Sequence, residues 1–133
     1  MTEHRSPFSI KQTDEIRKDG SMEQMELNVN LGSRAYPIHF GRGLLEHLAD
    51  YVNHDRKVLV LTDDGVPKEY LDTVLAQCPN GSAEVVPMGE GAKSFPVFER
   101  VCARMLELNF GRRDLLIALG GGVVGDLGGF AAA

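Results

Sequence analysis

Long apolar runs, basic blocks and cysteines at metal-binding or redox spacing are all missing from this 133-residue chain, and each absence closes off a class of function. No apolar stretch approaches the ~20 residues that span a bilayer, so a membrane partner is not expected. A net charge of -5 with no Lys/Arg-rich block excludes the basic footprint that a nucleic-acid partner requires. Cys78 and Cys102 stand apart from any ligand spacing. Each falls in an apolar helical pattern, which predicts buried free thiols in a reducing compartment. His4, His39, His47 and His54 are scattered and do not group as metal ligands. Arg112-Arg113 reads as a solvated turn. The opening MTEHRSPFSIKQTDEIRKDGSMEQ mixes both charges and lacks the apolar core of a signal peptide, so a cytoplasmic location is expected.

What is present is an ordinary globular composition, 43% hydrophobic and 25% charged, in a length suited to one domain. Residues 1–24 are polar, broken by Pro7 and Gly20, and read as a flexible polar tail. Residues 25–133 read as one α/β domain. Leu27, Val29 and Leu31, then Tyr36, Ile38 and Phe40, alternate with polar residues around Gly32-Ser33, which predicts a β-hairpin. Leu44, Leu45, Leu48 and Val52 share a helical face and predict a helix of about three turns. Three strand-then-helix units follow. Their strands are residues 57–62, 83–87 and 114–119, and the first two lead into helices at about 67–78 and from Ser94 to Asn109. Ser94 is the expected cap of the second of these helices. Apolar strands alternating with amphipathic helices require a parallel sheet covered on both faces, a Rossmann-like open sheet preceded by the hairpin. The chain ends LGGFAAA, inside a helical pattern with no cap, so the domain is expected to be truncated.

Chemistry concentrates where strands are expected to end. Leu119-Gly120-Gly121-Gly122-Val123-Val124-Gly125-Asp126 places G-x-G-x-x-G directly after a strand. Such a turn either packs a helix tightly on the sheet or offers backbone N–H groups and a helix N-terminus to a diphosphate. Asp63, in Thr62-Asp63-Asp64-Gly65, either caps the next helix or accepts hydrogen bonds from ribose hydroxyls. Gly89-Glu90-Gly91-Ala92-Lys93 offers an acid and a base, either as a loop salt bridge or as a ligand contact. All three loops lie at the carboxyl edge of the sheet, where open α/β folds bind ligands.

Taken together, TDDG, GEGAKS and ALGGGVVGDLGGFAAA resemble the successive nucleotide-site segments of 3-dehydroquinate synthases, and YPIHFGRGLLEHL resembles their N-terminal hairpin and first helix. The resemblance runs from about Leu27 to Ala133. It implies that Asp63 contacts the adenosine part of NAD, that Glu90 and Lys93 support the same ribose, and that Gly121, Gly122 and Val123 hold the diphosphate through the backbone. Asp126 would lie near the nicotinamide end. Where relatives often carry Asn, this chain has Gly65. The family's reaction converts a seven-carbon phosphorylated keto acid of the shikimate pathway into 3-dehydroquinate. It requires NAD and a divalent metal, zinc or cobalt, in a full-length protein expected to be a homodimer. The metal ligands and most substrate contacts of that family lie in a C-terminal helical domain, so no catalytic or metal residue is assigned to this chain. The alternatives are a related sugar-phosphate cyclase, a metal-dependent glycerol-type dehydrogenase, or a non-catalytic nucleotide-binding module.

Overall fold

The computed structural model describes residues 8–13 and 24–133, with side chains from residue 24 onward. Two compact units divide the chain, residues 1–44 and 45–133.

The first unit is a three-stranded antiparallel sheet in the order β1-β2-β3, with β1 at Phe8–Thr13, β2 at Gln24–Val29 and β3 at Tyr36–Phe40. The expected hairpin is β2 and β3. They meet in register from Met25 opposite Phe40 to Val29 opposite Tyr36. A 3-10 turn, Gly32–Arg34, joins them, with Gly32 in the left-handed region at φ 61°. β1 corrects the reading of residues 1–24 as a tail. Phe8–Thr13 pairs with all of β2, from Phe8 opposite Val29 to Thr13 opposite Gln24. Its six residues carry only Phe8 and Ile10 as large apolar positions, too few to signal a strand locally. The ladder comes from β2, a partner that becomes adjacent only on folding. The rest of the expected tail lies outside the described residues.

The second unit holds a three-stranded parallel sheet in the order β5-β4-β6. Its strands are β4 (Val58–Asp63), β5 (Gly81–Val86) and β6 (Leu115–Leu119). The first helix, α1 (Lys68–Ala76), connects β4 to β5, and the second, α2 (Phe95–Glu107), connects β5 to β6. After β6 the chain enters α3 (Gly122–Ala132). Central β4 has all five of Val58, Leu59, Val60, Leu61 and Thr62 buried, as its uninterrupted apolar run requires. The helices divide between the faces. Leu71, Val74 and Cys78 of the α1 segment pack with Val58 and Val60. On the other face Val101 of α2 and Val124 and Leu127 of α3 pack with Leu61 and Val86.

Local chemistry sets several boundaries. α2 ends in a left-handed residue, Asn109 at φ 53°. Phe110 N–H donates to Met105 O at 3.0 Å and Asn109 N–H to Leu106 O at 3.0 Å, which satisfies carbonyls the helix leaves unpaired. Ser94 does stand at the N-cap of α2, but its side chain makes no capping hydrogen bond. The expected three-turn helix near residues 44–52 is instead 3-10, Leu45–Asp50, interrupted at His47. Gln77 explains the change. Its amide nitrogen donates to Leu45 O at 2.7 Å and its amide oxygen accepts from Ala49 N–H at 3.0 Å, replacing bonds an α-helix would have made itself. On the outer edge of β5, the Arg100 guanidinium donates to Val85 O at 2.8 Å and occupies a carbonyl that another strand would otherwise use.

Candidate nucleotide site

Parallel strands send all their outgoing loops to one edge. β4 and β6 are neighbours, yet their outgoing helices α1 and α3 lie on opposite faces of the sheet. That divergence opens a crevice between their carboxyl ends, the place where open α/β sheets take ligands.

The β6 side of the crevice is the glycine turn. Gly120 sits at φ 153°, and a Cβ there would press to 3.0 Å on Val124 Cγ2. It would also stand 3.5 Å from Val66 of the β4 loop, so Gly120 is a packing glycine that lets the two loops meet. Gly121, Gly122 and Gly125 are different. A Cβ on any of them would meet nothing within 4 Å. The packing alternative left open by the sequence therefore applies at Gly120 and not at these three glycines. Helix α3 makes its first internal bond from Gly125 N–H to Gly121 O at 3.1 Å. The N–H groups of Gly122, Val123 and Val124 precede that bond and have no acceptor within the helix. With Gly121 and Gly122 exposed, this helix start presents unpaired donors and a positive dipole end above a surface without side chains.

The β4 side is a loop built by aspartates. Asp63 Oδ1 accepts from Gly65 N–H at 2.9 Å and Val66 N–H at 3.1 Å and closes the turn that leaves β4; it does not cap α1, whose N-cap is Pro67 with no side-chain capping bond. Those bonds use one carboxylate oxygen and leave Oδ2 for another donor. Asp64 reaches to the next strand, its N–H donating to Val86 O at 3.0 Å and its Oδ1 accepting from Met88 N–H at 2.9 Å. Below them Thr62 is 3% exposed, and its hydroxyl has no hydrogen-bond partner among the described residues.

The β5 loop crosses toward α3. Buried Ala92 anchors a 3-10 turn, Glu90–Ala92, and from its end Lys93 Nζ lies 2.8 Å from Asp126 Oδ2 and 3.5 Å from Glu90 Oε2. Glu90, Lys93 and Asp126 thus form one ion-paired set. Beside it lies a cavity of about 470 Å³, walled by Phe95, Phe98, Leu127 and Phe130.

The hydrogen bond to Asp126 raises the Lys93 ammonium above its ordinary value of 10.5, with the charges of Asp126 and Glu90 adding to it and desolvation opposing. Because the folded value exceeds the unfolded one, this contribution to stability is fully present below the unfolded value. It is lost as pH rises through the folded value. Asp126→Asn should therefore lower the Lys93 titration toward that of a free lysine. A titration of the Lys93 Cε resonance checks this, and an unchanged midpoint would show that the pair does not form in solution.

The structure therefore brings Glu90, Lys93 and Asp126 together and sets Gly121, Gly122 and Val123 at the start of α3, with Asp63 across the crevice. Sequence reasoning missed Thr62, which within an apolar run reads as one more β-branched strand residue. It also missed Asp64, whose role depends on the neighbouring strand.

This is an α/β unit with helices on both faces of a parallel sheet and a glycine-rich helix start at the sheet's carboxyl edge. A family model described as 3-dehydroquinate synthase N-terminal matches residues 83–133. The chain is 45% identical over 113 residues to the 3-dehydroquinate synthase of Pseudoalteromonas translucida, covering 82% of this chain and 32% of that protein. It is 44% identical over 113 residues to the Rhizobium etli 3-dehydroquinate synthase, covering 80% of this chain and 30% of the relative. The chain belongs to the 3-dehydroquinate synthase family, corresponds to its N-terminal part, and spans about a third of the length of these relatives. The fold is shared with 2-deoxy-scyllo-inosose synthase, whose crystal structure superposes with a TM-score of 0.71 at 23% identity over 80% of this chain and 32% of the other. A second structure of that synthase, complexed with carbaglucose-6-phosphate, NAD+ and Co2+, gives 0.70 at 24% identity, covering 80% of this chain and 30% of the other.

Proposed function

We propose that this chain supplies the NAD-binding part of a 3-dehydroquinate synthase, the enzyme that cyclises a seven-carbon phosphorylated keto acid with release of phosphate. One observation carries the reading: at the carboxyl edge of a parallel sheet, α3 begins at Gly121 and Gly122, whose Cβ positions meet nothing within 4 Å, and its first-turn N–H groups have no acceptor within the helix. A diphosphate suits such a helix start by charge. In this reading the backbone of Gly121, Gly122 and Val123 binds the diphosphate, and the second oxygen of Asp63 accepts from ribose hydroxyls of the adenosine part. Glu90 and Lys93 support the same ribose, and Asp126 lies toward the nicotinamide end. When bound, NAD supplies transient hydride transfer at a substrate alcohol. The contribution of these residues is to bind and orient it.

A divalent metal, zinc or cobalt, belongs to the proposed whole-protein reaction. Among the described residues no group of three or more His, Cys, Asp and Glu comes together to hold one. No helix among them is long and apolar enough to cross a membrane. A cytoplasmic location, a homodimeric whole protein and a phosphorylated small-molecule substrate complete the proposal.

Calorimetric titration of this chain with NAD should show binding of micromolar or weaker affinity. The same chain, given the phosphorylated substrate, NAD and zinc, should release no phosphate above a no-enzyme control. The barrier reduction that comes from holding reacting groups in place, of order 7–11 kcal/mol, needs metal ligands and a cationic cradle that the described residues do not assemble. Absence of NAD binding would sink the nucleotide assignment. Turnover would show that catalytic residues lie within these 133 positions.

A further inference from the structure

We propose that Arg100 guards the outer edge of β5, and that without it two copies of this chain pair through β5, edge to edge. The inference is independent of the NAD reading. The sheet order β5-β4-β6 leaves β5 with a strand partner on one side only among the described residues. An edge strand of this kind offers its outward N–H and C=O groups to any other strand that can reach them.

The bonds already made by β5 show which groups face outward. Asp64 N–H donates to Val86 O at 3.0 Å, so Val86 turns its backbone toward β4. Backbone groups alternate along a parallel strand, so Gly81, Ala83 and Val85 turn theirs away from β4. Gly81 N–H is bonded to Cys78 O at 3.0 Å, which leaves Ala83 and Val85 as the open part of the edge. Arg100 closes that part. It reaches from α2 and donates to Val85 O at 2.8 Å, while its Nε donates to Glu84. The Glu84 side chain is only 13% exposed, and its other oxygen lies 3.7 Å from Arg104 Nε. Two arginines one helical turn apart thus fix the acid that holds Arg100 over the edge.

A second copy is the partner that this edge fits. Identical edges close on themselves about a two-fold axis, and the outward residues Gly81, Ala83 and Val85 are small or apolar and carry no charge to repel their equivalents. There is room beside Ala83, where a cavity of about 420 Å³ runs along Arg100, Ala103, Arg104 and Glu107 of α2. Val85 is 41% exposed, so pairing would also bury apolar surface. The obstacle is the Arg100 guanidinium, which stands on the Val85 carbonyl in each copy. Arg100 is itself half-exposed, and an ion pair so placed adds little to stability. Its effect lies in what it keeps away.

The test compares this chain with Arg100→Ala and with Arg100→Met, which keeps an apolar stem on α2. Sedimentation equilibrium measures self-association, and circular dichroism checks that each variant is folded. Both variants should associate at least about tenfold more tightly than the wild-type chain, the factor that one charged hydrogen bond supplies. As their concentration rises, the Ala83 and Val85 amides should exchange hydrogen more slowly. Adding Val85→Pro removes an outward N–H and should return association to the wild-type level. A folded Arg100→Met that associates no more tightly than wild type overturns the proposal. So does tighter association that survives Val85→Pro or leaves the Ala83 and Val85 amides unprotected, because another surface is then responsible.

Discussion

Gly122→Val should abolish NAD binding and leave the protein folded. The two halves of this expectation rest on the same measurement: a Cβ at Gly122 meets nothing within 4 Å, so a branched side chain there has room. The room is where the anion is proposed to sit. Valine would cover the first-turn N–H groups of α3 and exclude the phosphates from them. Hydrogen bonds to a charged group contribute about 1.5–3 kcal/mol each, so losing two of them weakens binding by about two to four orders of magnitude. Calorimetry measures the affinity, and circular dichroism with a urea melt verifies the fold. Unchanged affinity in a folded variant would show that the turn only packs α3 on the sheet.

Gly128→Val should do the reverse and strike stability. Gly128 is on the same helix, six residues further along, but faces the sheet. A Cβ there would come to 3.2 Å from Ala118 Cβ of β6 and 3.6 Å from Leu61 Cδ2 of β4. Helix α3 lies this close to the sheet because position 128 has no side chain. Two added methyl groups beyond that Cβ would lift the helix or shift β6, at a cost of about 1–3 kcal/mol typical of overpacking. Gly129 is the control, since a Cβ there meets nothing within 4 Å. Gly129→Ala should raise stability by about 0.5–1 kcal/mol, the helix-propensity difference. Urea unfolding midpoints of the two variants check the contrast. Equal destabilisation by both would mean that α3 does not pack on the sheet as described.

The glycine-rich segment shows how far a sequence can be read. Its spacing after an apolar strand pointed to a turn that either packs or binds. It did not say which glycine does which. Gly120 and Gly128 turn out to be packing positions, while Gly121, Gly122, Gly125 and Gly129 open to solvent. That assignment depends on the neighbours Val124, Val66, Ala118 and Leu61, three of which come from a strand or another loop. Asp63 is similar: the sequence offered it as a cap of the next helix, and the structure uses it one turn earlier, closing the loop through Gly65 and Val66.

By itself the sequence determined the parallel strands β4, β5 and β6, the helices between them and the edge at which their loops emerge. Those features follow from local periodicity and from the handedness of βαβ crossovers, and neither needs a distant partner. Only the tertiary structure decided that Phe8–Thr13 is a strand, because its pairing partner lies across an intervening segment. The same holds for the 3-10 geometry of Leu45–Asp50, set by Gln77 from another helix terminus, and for the Lys93–Asp126 pair. In each case the deciding energy is a contact between residues far apart in the chain. No local propensity encodes such a contact, and it exists only once the sheet has brought its loops to one edge.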